Sequence, residues 1–366
     1  MKHTIRKPLA ARIAVLLLVI AVGCGGAMLA TGRAPADAQA APGKVALRGK
    51  RPKQPIELGG VRWRRGLPSA LAASKKSGKP VLVLFDEVPG CSTVRGFGRT
   101  VLSHPLIVEA AETLFVPLLV YNNKGGVDRR VLNAFGEPTW NNPVVRIIDH
   151  QRRALATRYA STYTVRSFAR AMVQGLRKAG RKVPGYLAAL ASPRRAERAT
   201  FAMHCFWTGE VRLGAIPGVL ETRPGFLDGR EVVEVRFDPR KLSYGELVKR
   251  ARALGVASRV YAHDAAQLAA GRAVAGSAVS LTARRMRVSP KDDKYQLIHS
   301  RWRAVPLTAE QATRLNAALP VGRLPQGLLS PRQLALYRTL AASGSSASAL
   351  RGCQRAGYGW IRVCAR

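Results

Sequence analysis

Cys205 stands in the run His204-Cys205-Phe206-Trp207, where the residue types define a chemistry before any element is assigned. Residues 200–204 read as a short apolar strand, and the residues after Cys205 read as the start of a helix. A thiol at that junction meets unpaired N–H groups and the positive end of the helix dipole, which favour the nucleophilic thiolate. Phe206 and Trp207 add an aromatic wall suited to an apolar, polarizable group such as the methyl beside an oxidised sulfur. Further on, Glu231, Val233, Val235 and Phe237 share parity on one strand, so a carboxylate lies on the same face as three core side chains. Apolar surroundings favour the protonated form of a carboxyl, which makes Glu231 a candidate proton donor. A sulfur nucleophile and an acid are what reduction of a sulfoxide needs, one attacking sulfur and the other protonating the departing oxygen.

A second candidate thiol is Cys91, in the turn DEVPGCST at residues 86–93. It follows Gly90 at a strand-to-helix turn with Arg95 nearby, a setting that favours reactivity. Val94 stands three residues on, so Cys91 has no local partner for a Cys-x-x-Cys disulfide. The elements that position both thiols are legible from hydrophobic pattern. Residues 67–78 read as a helix and 80–85 (PVLVLF) as a fully buried strand. Residues 114–121 and 144–148 read as further strands. Val165, Phe168, Met172, Val173 and Leu176 fall on one helical face. Strands alternating with helices indicate an α/β layer around a central sheet. A helix after residue 242 should open on a capping box of Ser243 and Glu246.

These patterns resemble two known families. The order HCFWTGE, then Gly225-Phe226, then a strand closed by Asp238-Pro239 resembles the type A peptide methionine sulfoxide reductases over residues 199–300. The resemblance implies that Cys205 attacks the sulfoxide, Phe206 and Trp207 cradle the methyl, and Glu231, seven residues before Asp238, protonates the oxygen. It also implies that Phe226 and Asp293 line the substrate pocket and that a C-terminal tail carries resolving cysteines, here Cys353 and Cys364. Three positions depart from the family: Phe226 replaces a tyrosine, Ile298 replaces a second tyrosine, and His299-Ser300 replaces Arg-Ser. Upstream, Trp63, the GKPVLVLF strand, Cys91 and Pro143 resemble a thioredoxin-like domain over about residues 60–180. Val88-Pro89-Gly90-Cys91 with Thr93 is similar to an exported group in which selenocysteine can take the cysteine position, and Pro143 matches that fold's cis-proline.

The 366 residues carry 60 Lys and Arg against 21 Asp and Glu, a formal charge of +39. The basic residues are scattered and little aromatic interleaving accompanies them, so attraction to anionic envelope polymers or lipid headgroups is expected and nucleic acid is not. A basic start, an apolar run at residues 13–22 and Ala38-Gln39-Ala40 read as a secretory leader. The alternatives are an uncleaved anchor and lipidation at Cys24. Each places the body outside the cytoplasm, in a bacterial periplasm or envelope. Removal of the leader leaves Cys91, Cys205, Cys353 and Cys364, an even set too sparse for a disulfide scaffold. Cys353 and Cys364 either resolve Cys205 or pin the terminus to each other. His104, His150, His204, His263 and His299 do not fall at metal-ligand spacing, and no phosphate loop is present, so no metal or organic cofactor is expected.

The expected architecture is a leader or anchor at 1–40, a basic linker at 41–58, and a thioredoxin-like α/β domain at 59–187. A linker at 188–199 leads to a reductase-like, ferredoxin-like α+β domain at 200–304, followed by a helical segment and cysteine-bearing tail at 305–366. The expected activity is reduction of the S epimer of methionine sulfoxide in envelope proteins or peptides, with Cys91 passing electrons and a thioredoxin-like or membrane thiol reductant as partner. The alternatives are a non-catalytic client-binding or oxidation-sensing protein, and a peroxide- or disulfide-handling enzyme centred on Cys91.

Overall fold

A computed structural model describes residues 54–140, 143–192, 195–342, 355–356 and 360–361. The leader, Cys24, Cys353 and Cys364 lie outside the described residues. The first layer runs α1 (Leu67–Ser77), β1 (Val81–Asp86), α2 (Ser92–Phe97), α3 (Pro105–Leu114), β2 (Val116–Tyr121), α4 (Gly126–Ala134), β3 (Val144–Ile148), α5 (Val165–Lys178) and α6 (Gly185–Ala191). Its sheet has the order β2-β1-β3, with β1 parallel to β2 and antiparallel to β3. The uninterrupted apolar run of β1 follows from burial on both faces. Val81, Val83 and Phe85 enter one core with Leu67, Ala70 and Leu132, while Leu82 and Leu84 enter the other with Leu106, Ile107, Phe168 and Met172. Isolated bridges at Arg64–Leu118, Val145–Tyr159 and Ile148–Ala154 extend both edges of this sheet without forming full strands. Buried Glu137 holds the β3 edge by accepting from Arg146 (2.5 Å) and Arg158 (2.7 Å).

The second layer begins sooner than expected. α6 and the strand β4 (Glu197–Ala202) occupy much of the stretch 188–199 that reads as a linker. Then follow α7 (Phe206–Ala215), β5 (Val219–Leu227), β6 (Arg230–Phe237), α8 (Tyr244–Ala253), β7 (Arg259–Ala262), α9 (Ala265–Ala275), β8 (Val279–Leu281), β9 (Arg287–Val288) and the one-turn α10 (Tyr295–Ile298). The six-stranded sheet has the order β8-β7-β4-β6-β5-β9, antiparallel except for β7–β8. Phe201, Val233, Val235 and Phe237 point from it into a core completed by Phe206, Leu213, Leu247 and Val248 of α7 and α8. Ser243 caps α8 by accepting from the Glu246 N–H at 3.2 Å, but the Glu246 carboxylate pairs with Arg250 at 2.7 Å one turn on, so the expected reciprocal box stays half made.

Two further helices, α11 (Ala309–Ala318) and α12 (Pro331–Ala342), and a short antiparallel pair, β10 (Arg355–Ala356) and β11 (Trp360–Ile361), complete the described chain. Helix α11 packs on α7 and places Arg314 at its C-terminal end. The guanidinium donates to the carbonyls of Gly214 (2.8 Å) and Ile216 (2.9 Å) at the end of α7 and of Val219 (3.0 Å) at the start of β5. At α12, the Arg332 amide and Ser330 hydroxyl both donate to Glu109 of α3, and the Arg332 guanidinium pairs with Glu112 at 2.6 Å. The two sheets are thereby bridged by one helical hairpin. No helix among the described residues is long and apolar enough to cross a membrane.

Candidate active site around Cys205

Cys205 is the N-cap of α7, with extended backbone (φ −137°, ψ 112°), a free thiol and partial exposure. The turn that presents it is held from β6 by one residue. The Glu231 carbonyl accepts from the Met203 N–H at 3.0 Å, and its Oε2 accepts from the Phe206 N–H at 2.8 Å. Glu231 therefore brackets Cys205 on both sides and satisfies an amide at the helix start that would otherwise lack a partner. It is half-buried rather than enclosed, while Val233, Val235 and Phe237 of the same strand face are fully buried as expected. Close approach of α7 to the sheet depends on Gly209, where a Cβ would come within 1.9 Å of the Met203 sulfur.

The aromatic wall is broader than the sequence indicates. Phe206 packs edge-on to Phe226 (5.6 Å between centroids) and beside Trp207 (5.9 Å), and Trp207 stacks on Tyr295 at 4.1 Å. The Trp207 indole N–H is buried without an acceptor among the described residues. Tyr295 escaped the sequence reading because the family register directs attention to Ile298. A signal was present: Tyr295 and Ile298 are three apart and share a face of a helix turn. His299 packs against Tyr295 at 4.2 Å.

Asp293, expected to line the pocket, is buried and spends its charge on Lys294 at 2.7 Å. Lys294 is itself buried, adopts a left-handed backbone (φ 62°), and pairs with Glu210 of α7 at 2.8 Å. Its backbone N–H donates to the second Glu210 oxygen at 2.7 Å, and Thr222 donates to the first at 2.8 Å. Burial pushes the Glu210 carboxyl up against the opposing pull of Lys294. Burial likewise works against the Lys294 charge, yet Glu210 and Asp293 hold the ammonium above its ordinary range. This closed charge cluster pins the segment carrying Tyr295 to the helix that begins at Cys205, so Asp293 acts through the loop.

Cys91 is exposed at the N-cap of the short α2, after a cis Val88–Pro89 bond. The Gly90 N–H donates to the buried Glu57 carboxylate at 3.2 Å, which sets a negative charge beside the turn in addition to Arg95. At the top of β1 beneath this turn, Asp86 is fully buried, and apart from the adjoining Glu87 amide neither of its side-chain oxygens meets a donor among the described residues. Burial, reinforced by Glu57 and Glu87, pushes its carboxyl up to about 8. The Pro143 carbonyl accepts from the Tyr163 hydroxyl at 2.9 Å, and the Asn142–Pro143 bond lies outside the described residues.

With the site built, its relatives can be compared. The chain is 45% identical to the peptide methionine sulfoxide reductase MsrA 2 of Rhizobium meliloti over a segment covering 14% of this chain and 33% of that protein. It is 35% identical to MsrA of Salinispora arenicola (16% and 34% covered) and 36% identical to MsrA of Methanoculleus marisnigri (16% and 46% covered). The chain thus spans between a third and a half of the length of these curated relatives. No family model matches it. A solved DsbH oxidoreductase is similar at 18% identity with a TM-score of 0.25, covering 31% of this chain and 83% of that one. The likeness to methionine sulfoxide reductases is therefore local.

Proposed function

We propose that this protein is an exported thiol oxidoreductase that reduces the S epimer of methionine sulfoxide in envelope peptides or proteins at Cys205. The observation that carries the reading is the 2.8 Å bond from the Phe206 N–H to Glu231 Oε2, which puts a carboxyl group at the head of the helix that presents the thiol. The Cys205 sulfur attacks the sulfoxide sulfur while Glu231 delivers a proton to the oxygen. The hydroxyl passes from the substrate sulfur to the Cys205 sulfur as the bond between the two sulfurs breaks, so methionine leaves reduced by two electrons and Cys205 is left as a sulfenic acid. The wall of Phe206, Trp207, Phe226 and Tyr295 receives the methyl, and the buried indole N–H is a free donor for a polar atom of the substrate. A second thiol, Cys353 or Cys364, attacks the sulfenic acid, releases water and forms a disulfide. Cys91 then attacks that disulfide, freeing one tail thiol and forming a mixed disulfide, and an external dithiol attacks the mixed disulfide, frees the second thiol and leaves as a disulfide itself.

The test is turnover of separated S and R epimers of a methionine sulfoxide peptide by the full chain with dithiothreitol. We expect S-selective reduction, lost in Cys205→Ser and lowered about 10²- to 10⁴-fold at neutral pH in Glu231→Gln. The replacement of a tyrosine hydroxyl by Phe226 favours a second reading, client binding or oxidation sensing without turnover. Sulfoxide binding with no Cys205-dependent product would establish that reading and refute the enzymatic one.

A further inference from the structure

Register places three side chains in one line across the second sheet. Phe226 of β5 is paired with Glu231 of β6 on one side and with Arg287 of β9 on the other. Directly paired residues point to the same face, so all three belong to the face on which Phe206 meets Phe226 and Glu231 meets the start of α7. The close approach of β9 to β5 requires Gly225, whose Cβ would fall 2.5 Å from the Arg287 carbonyl oxygen. Arg287 is exposed, and its guanidinium carbon lies over the Phe226 ring, 4.8 Å from the centroid. Among the described residues no carboxylate pairs with it, whereas Arg284 on the same segment is engaged by Asp228 at 2.9 Å.

We propose that Arg287 is a specificity-determining residue of the Cys205 site, binding a carboxylate beside the methionine sulfoxide and so selecting acidic peptide segments. The proposal rests on the reductase reading given above. Stacking over Phe226 holds the cation at the rim of the aromatic pocket and leaves the in-plane N–H donors facing outward, the geometry that suits a carboxylate. The Phe226 ring stands between Arg287 and Glu231. An acidic substrate group is therefore drawn to the β9 side and kept from crowding the carboxyl that must serve the sulfoxide oxygen. The formal charge of +39 attracts anions to the whole surface, but that attraction does not depend on where the acid lies relative to the sulfoxide.

The experiment compares three peptides that differ only in the residue next to methionine sulfoxide: Asp, Asn or Lys. With the full chain, dithiothreitol and low ionic strength, kcat/KM for the Asp peptide should exceed that for the Asn peptide roughly two- to fivefold, with Lys lowest. Raising the salt to 1 M should shrink the preference. Arg287→Gln should bring the Asp-to-Asn ratio to about one, and Arg287→Lys should restore part of it. Arg177→Gln, which makes the same charge change on α5, should leave the wild-type ratio in place. A wild-type ratio in Arg287→Gln, or equal losses in the Arg177 and Arg287 variants, would overturn the proposal while Asn-peptide turnover upholds the reductase reading. Absence of Cys205-dependent turnover of any peptide would remove both.

Discussion

Replacing Asp86 by Asn should flatten the pH dependence of stability above neutrality. The carboxyl is fully buried, pushed up from 3.8 to about 8 mainly by loss of water, with Glu57 and Glu87 adding like charge. Because the folded protein holds this proton more tightly than the unfolded chain, it binds more protons between about pH 4 and 8. Its contribution to stability is then complete below the unfolded value and is lost as pH rises through about 8. At 1.36 kcal/mol per unit the whole displacement is on the order of 5 kcal/mol. Buried His104 and half-buried His263 act in the opposite sense at lower pH. Burial lowers His104 to about 3 and His263 to about 4, so each costs stability as pH falls below the ordinary imidazole value of 6.5. The difference between wild type and Asp86→Asn isolates Asp86, because the histidines and the other raised carboxyls are common to both, with about 2 kcal/mol at stake over the 1.5 units from 6.5 to 8 and somewhat less where water relaxes into the site. Asn fills nearly the same volume and cannot ionise. Urea unfolding at pH 6.5, 7.2 and 8.0 and fixed ionic strength should show wild-type stability falling by ~1–2 kcal/mol relative to Asp86→Asn. Parallel slopes for the two proteins would refute the reasoning.

The charge cluster and the bridging hairpin give two more expectations. Lys294→Met leaves Glu210 buried without the cation it pairs with, and denaturant midpoints should report a loss of about 3–5 kcal/mol; a second substitution, Glu210→Gln, should recover part of it. Arg314→Ala removes a donor from the carbonyls of Gly214, Ile216 and Val219, where α7 turns into β5, which should cost about 2–4 kcal/mol and speed amide exchange in the last turn of α7. An Arg314→Ala protein as stable as wild type would mean that water replaces the guanidinium there.

Legibility differed sharply between the two kinds of information in the chain. β3 matches the expected 144–148, and α1 and β1 match within a residue, because their apolar periods are unbroken and each face finds its own core. The junction at Cys205 was legible for the same local reason, a strand pattern that stops and a helix pattern that starts. Strand parity was enough to set Glu231 among Val233, Val235 and Phe237, yet not to show that it would hold the Phe206 amide, since that contact depends on register between β4 and β6. Tyr295 and Arg287 were invisible for a related reason. Each reaches the site through a short element, α10 or β9, whose position is set by long-range partners and not by its own pattern. Between β6 and β9, residues 244–281 form two helices and two strands, so β9 and α10 reach the site from far along the chain after Glu231.

The structure also ties the Cys205 site mechanically to the first layer. α11 holds α7 through Arg314, and α12 holds α3 through Glu109 and Glu112. Between them, Gln311 and Gln333 donate amide to amide at 3.0 and 2.9 Å, so the two helices are locked by buried polar bonds, while the Ser330 N–H donates to Gln333 at 2.8 Å at the start of α12 and Trp302, ahead of α11, stacks on Tyr337 of α12. Buried networks of this kind tolerate little rearrangement, because any group that loses its partner keeps the full cost of desolvation. Burial also pushes the Glu109 carboxyl up, with Ser330 and the Arg332 amide opposing the rise. Removing Ser330 would therefore weaken the seam and let burial push the Glu109 carboxyl further up. The orientation of α7 under Cys205 is thus set in part by residues more than a hundred positions later, on a helix pair that neither resemblance covers.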